Sequence, residues 1–595
     1  MPQSQPWSTL WKREHFKKKE GLKDTDTMLF RVVYYLLLLL TPSASFAGFC
    51  GETDDTEKQI FWGDLHVHTA YSLDAYSFGT LSSPAKAYQF AKGVELTMAD
   101  GSRAQLDRPL DFVAVTDHSE WFDFLYLCTD PGMGDHPDCK NLREHASPSG
   151  GLDLFRQYVV PSITYDHPQV LGPCIGNADN CRRAYVSQWE RVQRQANAAN
   201  DPCEFTSFIG YEWSATKNFR HTHRNVIFSG ENVTGEAFDY IRYPTLDGLF
   251  DQLDQHCKIA NGCDVITIPH NMNMGDGTTF DVEQASDRSL ALRSRFERLA
   301  EIHQEKGNSE CLSPLGATDE SDCNFETRLT KLSRTAAQSD YNSAQWEHMR
   351  STYMRGLLMR GLAAYKRSGE EEMNPLQLGI IGSTDGHAAT PGFVEEATWK
   401  GPVFGLGSLD RAMTRRDWNP GGLVAIRAEE NTRESLFAAM KRREVYGTSG
   451  PRMGLNFESG STPLTCEPGG ESATVPMGGD FSEGEPNFRL TVAGDQMPLQ
   501  KIEIIKGTLN EGIYIETVLT LWEGSAAAKC VVWTDPDFSA LEPAFWYVRV
   551  IEAETLRWSA HLCRNENRCN EFPGADVKVQ ERAWSSPIWY LPTNT

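Results

Sequence analysis

Gly63-Asp64-Leu65-His66-Val67-His68-Thr69 is the stretch that decides the fold class, and it follows the short apolar run Ile60-Phe61-Trp62. Side chains two residues apart on a strand share a face, so His66 and His68 can converge on one metal ion. Ligand-type residues at strand ends are typical of α/β barrels, whose strands deliver functional groups to one mouth. The stretch therefore predicts a metal site at a strand end.

The same arrangement recurs along the chain. Apolar runs of β type lead into Thr116-Asp117-His118, Gly210-Tyr211-Glu212, Ile268-Pro269-His270 and Ser383-Thr384-Asp385-Gly386-His387. Between the strands, stretches 83–92 and 182–198 have the composition and spacing of helices. Alternating β and α elements predict a parallel α/β barrel or sheet.

The domain organisation follows from the lengths of the connections and from a change in composition. Stretches 122–202 and 272–375 are too long for simple connections and predict helical insertions, the second containing an apparent strand near residues 299–302. Beyond residue 450, apolar and alternating runs between Gly, Pro and Asp turns predict a β-sandwich. We therefore expect an α/β domain at 48–450 and a β-rich domain at 451–595.

Composition limits the class of protein. The chain has 595 residues, and its 57 Lys and Arg against 81 Asp and Glu give a net charge of -24. A hydrophobic content of 40% supplies cores and excludes a disordered or low-complexity chain. The negative average surface repels long anionic polymers, so no nucleic-acid partner is expected. A small anionic substrate stays open, because bound metal ions reverse the local potential.

The N-terminus predicts export. The apolar run Val32-Val33-Tyr34-Tyr35-Leu36-Leu37-Leu38-Leu39-Leu40 is followed by Thr41-Pro42-Ser43-Ala44-Ser45-Phe46-Ala47, with small residues at the positions that a signal peptidase reads. This is typical of a signal peptide over residues 1–47, with Met28 favoured as the true start. The alternative is a short membrane anchor, but nine apolar residues are too few to span a bilayer comfortably. We expect a periplasmic or extracellular protein without an integral span in the mature chain.

The 14 cysteines agree with export. Short spacings in an exported chain favour disulfide bonds, with a zinc cluster as the alternative, although no CxxC pair is present. The closely spaced candidate pairs are Cys128 with Cys139, Cys174 with Cys181, Cys257 with Cys263, Cys311 with Cys323, and Cys563 with Cys569.

The strand-end groups resemble, in order and placement, those of the PHP (polymerase and histidinol phosphatase) metallohydrolase superfamily. Three stretches are more narrowly similar to its DUF3604 branch: His223-Arg224-Asn225-Val226-Ile227-Phe228, Ala428-Glu429-Glu430-Asn431-Thr432-Arg433 and Glu581-Arg582-Ala583-Trp584-Ser585-Ser586-Pro587-Ile588-Trp589. The resemblance covers nearly all of the mature chain. It implies a distorted (β/α)7 barrel with two or three divalent metals, in a superfamily dominated by phosphoesterases.

The resemblance also implies roles for individual residues. His66 and His68 bind a first metal with Asp385 and Glu212, and Glu212 bridges to a second metal. The second metal is completed by His223 and His270, and a third site is formed by Asp74, His118 and His387. His221 competes with His223, which we prefer because it directly precedes the RNVIF strand. The catalytic candidates are Glu212, Asp385, His387 and Arg224.

The ligand chemistry agrees with these roles. A set of His and carboxylate ligands without thiolate suits Zn, Mn or Fe. Two ions that share a carboxylate can hold a hydroxide at neutral pH and stabilise both oxygens of an in-line phosphoryl displacement. Arg103, Arg224, Lys306 and Asn271 are candidate substrate contacts. Three residues near an apparent strand are interpreted as core or substrate-loop residues rather than ligands: Glu301, His303 and Glu310.

The function predicted from the sequence is an exported, metal-dependent hydrolase of phosphomonoester or phosphodiester bonds in a small substrate. Two alternatives stay open. The first is a hydrolase of the same fold that cleaves a phosphonate, amide or carboxylic ester, since fold does not fix the substrate. The second is a non-catalytic binding protein that the metals only stabilise. The sequence leaves the oligomeric state undetermined.

Overall fold

The computed structural model describes residues 50, 58–129, 135–165, 168–280, 282–283, 285–312, 321–329, 348–368, 371–467 and 473–592. The predicted signal peptide, residues 1–47 with Met28 as its start, lies outside this part of the chain. Within it, no helix is both long and apolar enough to cross a membrane.

Strands dominate the architecture. The strands used below are β1 Gln59–Asp64, β2 Phe112–Val115, β3 Thr206–Trp213, β4 Arg224–Phe228, β5 Val265–Pro269, β6 Leu299–Gln304, β7 Gly379–Gly382, β8 Leu423–Ala428, β9 Val445–Thr448, β10 Gly454–Gly460, β11 Asn487–Ala493, β12 Leu499–Asn510, β13 Ile513–Ala526, β14 Ala528–Thr534, β15 Ala544–Glu552, β16 Arg582–Ser585 and β17 Ile588–Tyr590. Shorter strands are Leu96–Thr97, Arg103–Ala104, Gly307–Asn308, Lys366–Ser368, Glu371–Met373, Thr474–Pro476, Asp480–Phe481, Thr555–Leu556 and Lys578–Val579.

Helices fill the connections. They are α1 Leu73–Ser77, α2 Pro84–Ala91, α3 Phe122–Thr129, α4 Pro137–His145, α5 Gly151–Leu154, α6 Val160–Ile163, α7 Ala178–Ala199, α8 Leu246–His256, α9 Asp287–Phe296, α10 Met354–Ala364, α11 Leu409–Met413, α12 Arg433–Arg442 and α13 Trp558–Asn565. The predicted helices at 83–92 and 182–198 correspond to α2 and α7, and α3 to α7 occupy the stretch predicted as the first insertion.

The strands that carry the candidate ligands lie side by side. β1 pairs with β2 and β2 with β3, both in parallel, whereas β4 is antiparallel to β3 and β5. β6 and β7 form a second parallel pair. A single β-bridge between Thr267 in β5 and Glu297, just before β6, joins this pair to β5. A mixed α/β architecture is confirmed. Its regular alternation is broken at β4, because the connection 214–223 is shorter than the roughly dozen residues that a parallel crossover needs.

A shared apolar core aligns these strands. One buried cluster takes side chains from β2 to β8 and from Leu65, just after β1, and packs them against α12. Its members include Leu65, Phe112, Phe208, Ile227, Ile266, Leu299, Ile381, Val424 and Met440. Only glycine fits at position 63, since a Cβ there would lie 2.3 Å from the Phe112 ring. This packing brings the carboxyl ends of the parallel strands to the same region.

The C-terminal part is β-rich, as predicted. β10, β11, β14 and Thr474–Pro476 form an antiparallel sheet. It packs against β12 and β15 through a core that contains Phe457, Phe488 and Trp546. β15 and β16 continue the large sheet through β9, so hydrogen bonding runs across residue 450. The domain boundary at that residue stays a prediction.

All five predicted disulfide pairs are confirmed. A sixth bond, Cys466 to Cys530, spans 64 residues and was not predicted, because its partners are distant in sequence. No cysteine in the described residues is free, which excludes the alternative of a cysteine zinc cluster there.

Candidate metal centre

The nine candidate ligands lie in one network of close contacts, most of them fully buried. Most of them lie at strand ends, as the sequence predicts, and Asp74 lies in a helix. His66 and His68 follow β1, Asp74 lies in α1, His118 follows β2, Glu212 is near the end of β3, His223 precedes β4, His270 follows β5, and Asp385 and His387 follow β7.

Glu212 is the centre of the network, and its two carboxylate oxygens face different histidines. Oε2 lies 3.3 Å from Nε2 of His66, 3.2 Å from Nε2 of His68 and 3.2 Å from Nδ1 of His118. Oε1 lies 2.6 Å from Nδ1 of His223 and 3.2 Å from Nε2 of His270. A carboxylate placed between two groups of histidines is a candidate ligand for two ions.

Asp385 completes the group on the His66 and His68 side. Its Oδ1 lies 3.0 Å from Nε2 of His68 and 3.4 Å from Nε2 of His66. The backbone of Asp385 is left-handed, with φ of 53°. Such conformations in residues other than glycine concentrate at functional sites, because the surrounding structure must stabilise them.

A third group lies at the edge of the network. Oδ2 of Asp74 is 3.2 Å from Nε2 of His118 and 3.0 Å from Nε2 of His387. Nδ1 of His387 lies 3.1 Å from Oε1 of Glu305. Part of the Asp74 side chain, 13%, is exposed, so this group is the most accessible to solvent.

Two of the histidine rings are held on the side away from Glu212 by hydroxyl groups. Nδ1 of His68 lies 2.9 Å from the Ser72 hydroxyl, which donates to Asp117 at 2.8 Å. Nε2 of His223 lies 2.6 Å from the Thr216 hydroxyl. Such contacts fix the ring orientation and tautomer of metal-binding histidines.

The electrostatics favour bound cations. Burial opposes ionisation of Glu212, but His118, His223 and His270 outweigh it and hold the pKa of Glu212 well below its usual range. In the same way, His66 and Lys306 overcome burial and lower the pKa of Asp385. These carboxylates are therefore ionised at neutral pH.

The pKa values of the histidines depend on burial and on the same carboxylates. Burial, together with the nearby His387 and His118, lowers the pKa of His68 to about 4. At the edge of the network, Glu212 and Asp74 outweigh burial and raise the pKa of His118 to about 9. A neutral imidazole is the form that binds metal, and the carboxylates attract positive charge, whether protons or divalent cations.

The donor set fits divalent metals. Nε2 of His66 and Nε2 of His68 lie 3.2 Å apart, so two ring nitrogens face each other, and a bound cation would accept the lone pairs of both. In each of the groupings His66-His68-Asp385, His66-Glu212-His270 and His68-His118-His387, three possible donor atoms lie within 4.8 Å of one another. Imidazole and carboxylate without thiolate suit Zn, Mn or Fe.

One family model matches most of this chain. The family described as "Protein of unknown function (DUF3604)" matches residues 55–524 and 521–592. This chain belongs to the DUF3604 family. No curated protein matches it. A solved structure from Bacteroides vulgatus, described as a two-domain protein containing a predicted PHP-like metal-dependent phosphoesterase, covers 83% of this chain and 90% of its own, at 9% identity and a TM-score of 0.29.

In this DUF3604 protein, His223 rather than His221 contacts Glu212. The His221 ring lies beside that of His223, with the ring centres 4.7 Å apart, and faces the adjoining cavity. Lys306 also reaches the site, because its ammonium group contacts Oδ2 of Asp385. Asn271 is one step removed: its Oδ1 accepts from Nε2 of Gln304 at 2.6 Å, and Gln304 also donates to Asp385.

Two predicted substrate contacts lie away from the cluster. Arg224 is fully buried, and its guanidinium donates to Glu297 at 2.9 Å and to the backbone oxygens of Thr222 and Thr279. Arg103 is exposed and pairs with Glu95 at 3.2 Å. Neither residue lines the cavity beside the ligands.

Several residues around the candidate metal centre were not predicted from the sequence. Glu305 contacts His387, and Ser72, Ser214 and Thr216 contact the ligand histidines. Glu305 directly follows β6, so the strand-end rule could have found it. The hydroxyl residues carry no such signal, because Ser and Thr are common in every loop.

Proposed function

We propose that this protein is an exported, metal-dependent hydrolase of phosphomonoester or phosphodiester bonds in a small substrate. In this proposal β1 to β7 would form a distorted seven-stranded α/β barrel, with the candidate ligands around one end. Two or three ions of Zn, Mn or Fe would be held by His66, His68, Asp74, His118, Glu212, His223, His270, Asp385 and His387.

The observation that carries the proposal is the double contact of Glu212. Its Oε2 faces His66 and His68, and its Oε1 faces His223 and His270. Two ions sharing this carboxylate would supply the Lewis acidity that activates water and neutralises charge on a phosphoryl group. A protein that used metal only for stability would not need a bridging carboxylate beside an open cavity.

Lys306 supports an anionic substrate. Its side chain is only 14% exposed and lines the cavity, with the ammonium group against Asp385. The carboxylates Asp385 and Glu305 overcome burial and raise its pKa, so the group stays protonated at neutral pH. A phosphoryl oxygen that approaches the metal ligands would meet this cation, and charge-assisted hydrogen bonds of this kind are among the strong ones.

Export is supported by the disulfide bonds. Such bonds form and persist in oxidising compartments and are rare in the cytosol. The six bonds described above lie throughout the chain, from Cys128 to Cys569.

The proposal is tested with residues 48–595, purified with disulfides intact and loaded separately with Mn, Zn or Fe. Turnover is measured with an aryl phosphate monoester and an aryl phosphate diester, and bound metal by elemental analysis. The double variant His66→Ala, His68→Ala removes ligands, while His145→Ala, His256→Ala removes two exposed histidines away from the site as a matched control.

We expect metal-dependent turnover that the ligand variant loses and the control variant keeps. Turnover of one ester class alone identifies the substrate type. Bound metal without turnover of either ester contradicts phosphoester hydrolysis and favours another scissile bond. Absence of bound metal contradicts the proposal as a whole and favours a binding protein.

A further inference from the structure

A cavity of about 490 Å³ opens beside the ligands, and its two ends differ in chemistry. One end is formed by Glu212, Asp385, His387 and Lys306. The rest is lined mainly by apolar side chains, including Phe78, Phe155, Val159, Ile163, Phe404 and Trp418. The volume lies within the range of small-molecule sites, which is about 300–1,000 Å³. A phosphoryl group fills only the polar end.

The apolar end is organised as a continuous row of aromatic rings. Trp418 and Phe404 have ring centres 5.1 Å apart, Phe404 and Phe78 5.7 Å, and Phe78 and Phe155 6.2 Å. The row begins beside the metal ligands, because the ammonium of Lys306 lies 5.6 Å from the Trp418 ring centre. If a phosphoryl group binds at the candidate ligands, an apolar group attached to it can therefore pack against this row of rings.

The mouth of the cavity also exposes apolar side chains. Phe219 is 61% exposed and Leu152 47%, although both line the cavity. Phe219 and Asn218 both have left-handed backbones, with φ of 62° and 54°. That conformation is unfavourable for a bulky residue such as Phe, so the surrounding structure must stabilise it. It holds an aromatic ring in solvent at the entrance, where it can pack on a bound molecule.

Cations lie on the aromatic side as well. The guanidinium of Arg328 lies 4.2 Å from the Trp418 ring centre, and that of Arg415 lies 6.0 Å from the ring centre of Phe404. Both residues line the cavity. Because these guanidinium groups stack on the aromatic rings, the wall itself stays largely apolar, and a ligand that is anionic at one end and apolar along its length can pack against it.

We propose that the substrate is a phosphoester whose organic group is apolar, an aryl group or an extended alkyl chain, which binds along the Trp418, Phe404, Phe78 and Phe155 row beneath Phe219. The inference rests on the proposed function and narrows its substrate class. Substrate preference then comes from burial of the organic group, while the ligands and Lys306 hold the phosphoryl end.

The test uses ligands that cannot be hydrolysed. Dissociation constants of n-alkylphosphonates from ethyl to octyl, and of ethyl-, phenyl- and naphthylphosphonate, are measured by calorimetry on the metal-loaded full mature chain. Each added methylene is expected to tighten binding by about three- to four-fold until the cavity is filled. The larger aryl compound is expected to bind more tightly than the smaller, and burial of the organic group gives a negative heat-capacity change.

Two variants test which side chains cause the tighter binding of larger organic groups. Phe404→Ala removes the centre of the aromatic row, and Phe219→Ala removes the ring at the mouth. In both variants, the increase in affinity from ethylphosphonate to octylphosphonate is expected to be smaller than in the wild type by about ten-fold or more. The affinity for ethylphosphonate itself is expected to change less than about two-fold. Leu541→Ala, which removes an apolar side chain that is 82% exposed away from the cavity, is expected to leave the whole series unchanged.

The outcomes separate the two proposals. Equal affinity across both series, with turnover of small phosphoesters intact, overturns the apolar-substrate inference and leaves the proposed function standing. Absence of both phosphonate binding and phosphoester turnover in the metal-loaded protein overturns both. If Phe404→Ala fails to fold, unchanged chain-length dependence in Phe219→Ala overturns the inference.

Discussion

The carboxylate of Glu301 lies 3.1 Å from Nδ1 of His66, on the side of the ring opposite to Nε2, which is 3.3 Å from Glu212. The side chains of Glu301 and His66 are both fully buried. Glu301 can therefore accept the Nδ1 proton and leave the lone pair of Nε2 directed at the centre. A carboxylate in this position fixes the tautomer of a ligand histidine and increases its basicity.

Substitution of Glu301 by Gln tests this positioning role. The amide fills nearly the same space but carries no charge, so we expect metal affinity to fall by about 10- to 100-fold. Competition with a chromophoric chelator measures the affinity, and the melting temperature of the metal-free protein serves as a control for folding. Unchanged metal affinity in Glu301→Gln would show that Glu301 is only a core residue.

Glu310 is a matched control, because it is buried in the same segment and contacts no ligand. Its Oε1 accepts from Arg355 at 2.8 Å and from Arg549 at 3.0 Å, and its Oε2 accepts from Trp584 at 2.8 Å. Glu310→Gln removes one of the carboxylates that pair with two buried arginines, while Arg549 keeps Glu503 at 2.6 Å and Arg355 keeps Glu516 at 3.2 Å. We expect it to lower the free energy of unfolding by about 1–3 kcal/mol. Metal affinity of the folded variant should match that of the wild type. Loss of metal without loss of stability would contradict this assignment.

The strand-end pattern made the mixed α/β fold predictable, and it also predicted which His and carboxylate side chains lie together. Residues two apart on a strand share a face, so the HVH and DGH spacings already place pairs of donors together. Apolar runs long enough to be strands precede them, and the observed bounds of β1 to β7 follow those runs closely. The antiparallel course of β4 was not predicted, because alternating hydrophobicity does not encode strand direction.

The substrate contacts were less predictable, because they depend on side-chain direction rather than on spacing. Arg224 follows His223 directly, but adjacent residues on a strand face opposite sides, and its guanidinium pairs with Glu297 in the core. Lys306 reaches Asp385 from a turn after β6. The aromatic row joins Phe78, Phe155, Phe404 and Trp418, which are distant in sequence and carry no shared motif.

The disulfide between Cys466 and Cys530 should stabilise the β-rich part more than the short-range bonds do. It closes 64 residues, whereas Cys257 to Cys263 closes 6. Because the entropy removed from the unfolded chain grows with loop length, replacement of the first pair by Ser should lower the free energy of unfolding by about 4 kcal/mol, and replacement of the second by about 2 kcal/mol. Urea unfolding without reductant measures both. Equal losses would mean that loop length does not decide the contribution.

Stability should depend on pH through Glu581, which lies far from the metal ligands in sequence and contacts the Ser449 hydroxyl. Burial, with the nearby charge of Glu326, raises the pKa of Glu581 to about 8. An unfolded Glu titrates near 4.3, so the folded protein binds the extra proton between these values. The stability that the neutral carboxyl provides is full below about pH 4 and is lost as the pH rises through about 8.

Glu581→Gln keeps a neutral group at this position at every pH. We expect the variant to melt at a higher temperature than the wild type at about pH 9, and the difference to shrink at about pH 5, because the wild-type carboxyl is then protonated. Glu554→Gln is the control: that carboxylate is exposed and pairs with Lys578 at 3.1 Å. A difference between Glu581→Gln and wild type that stays the same at both pH values would mean that Glu581 is not neutral in the folded protein.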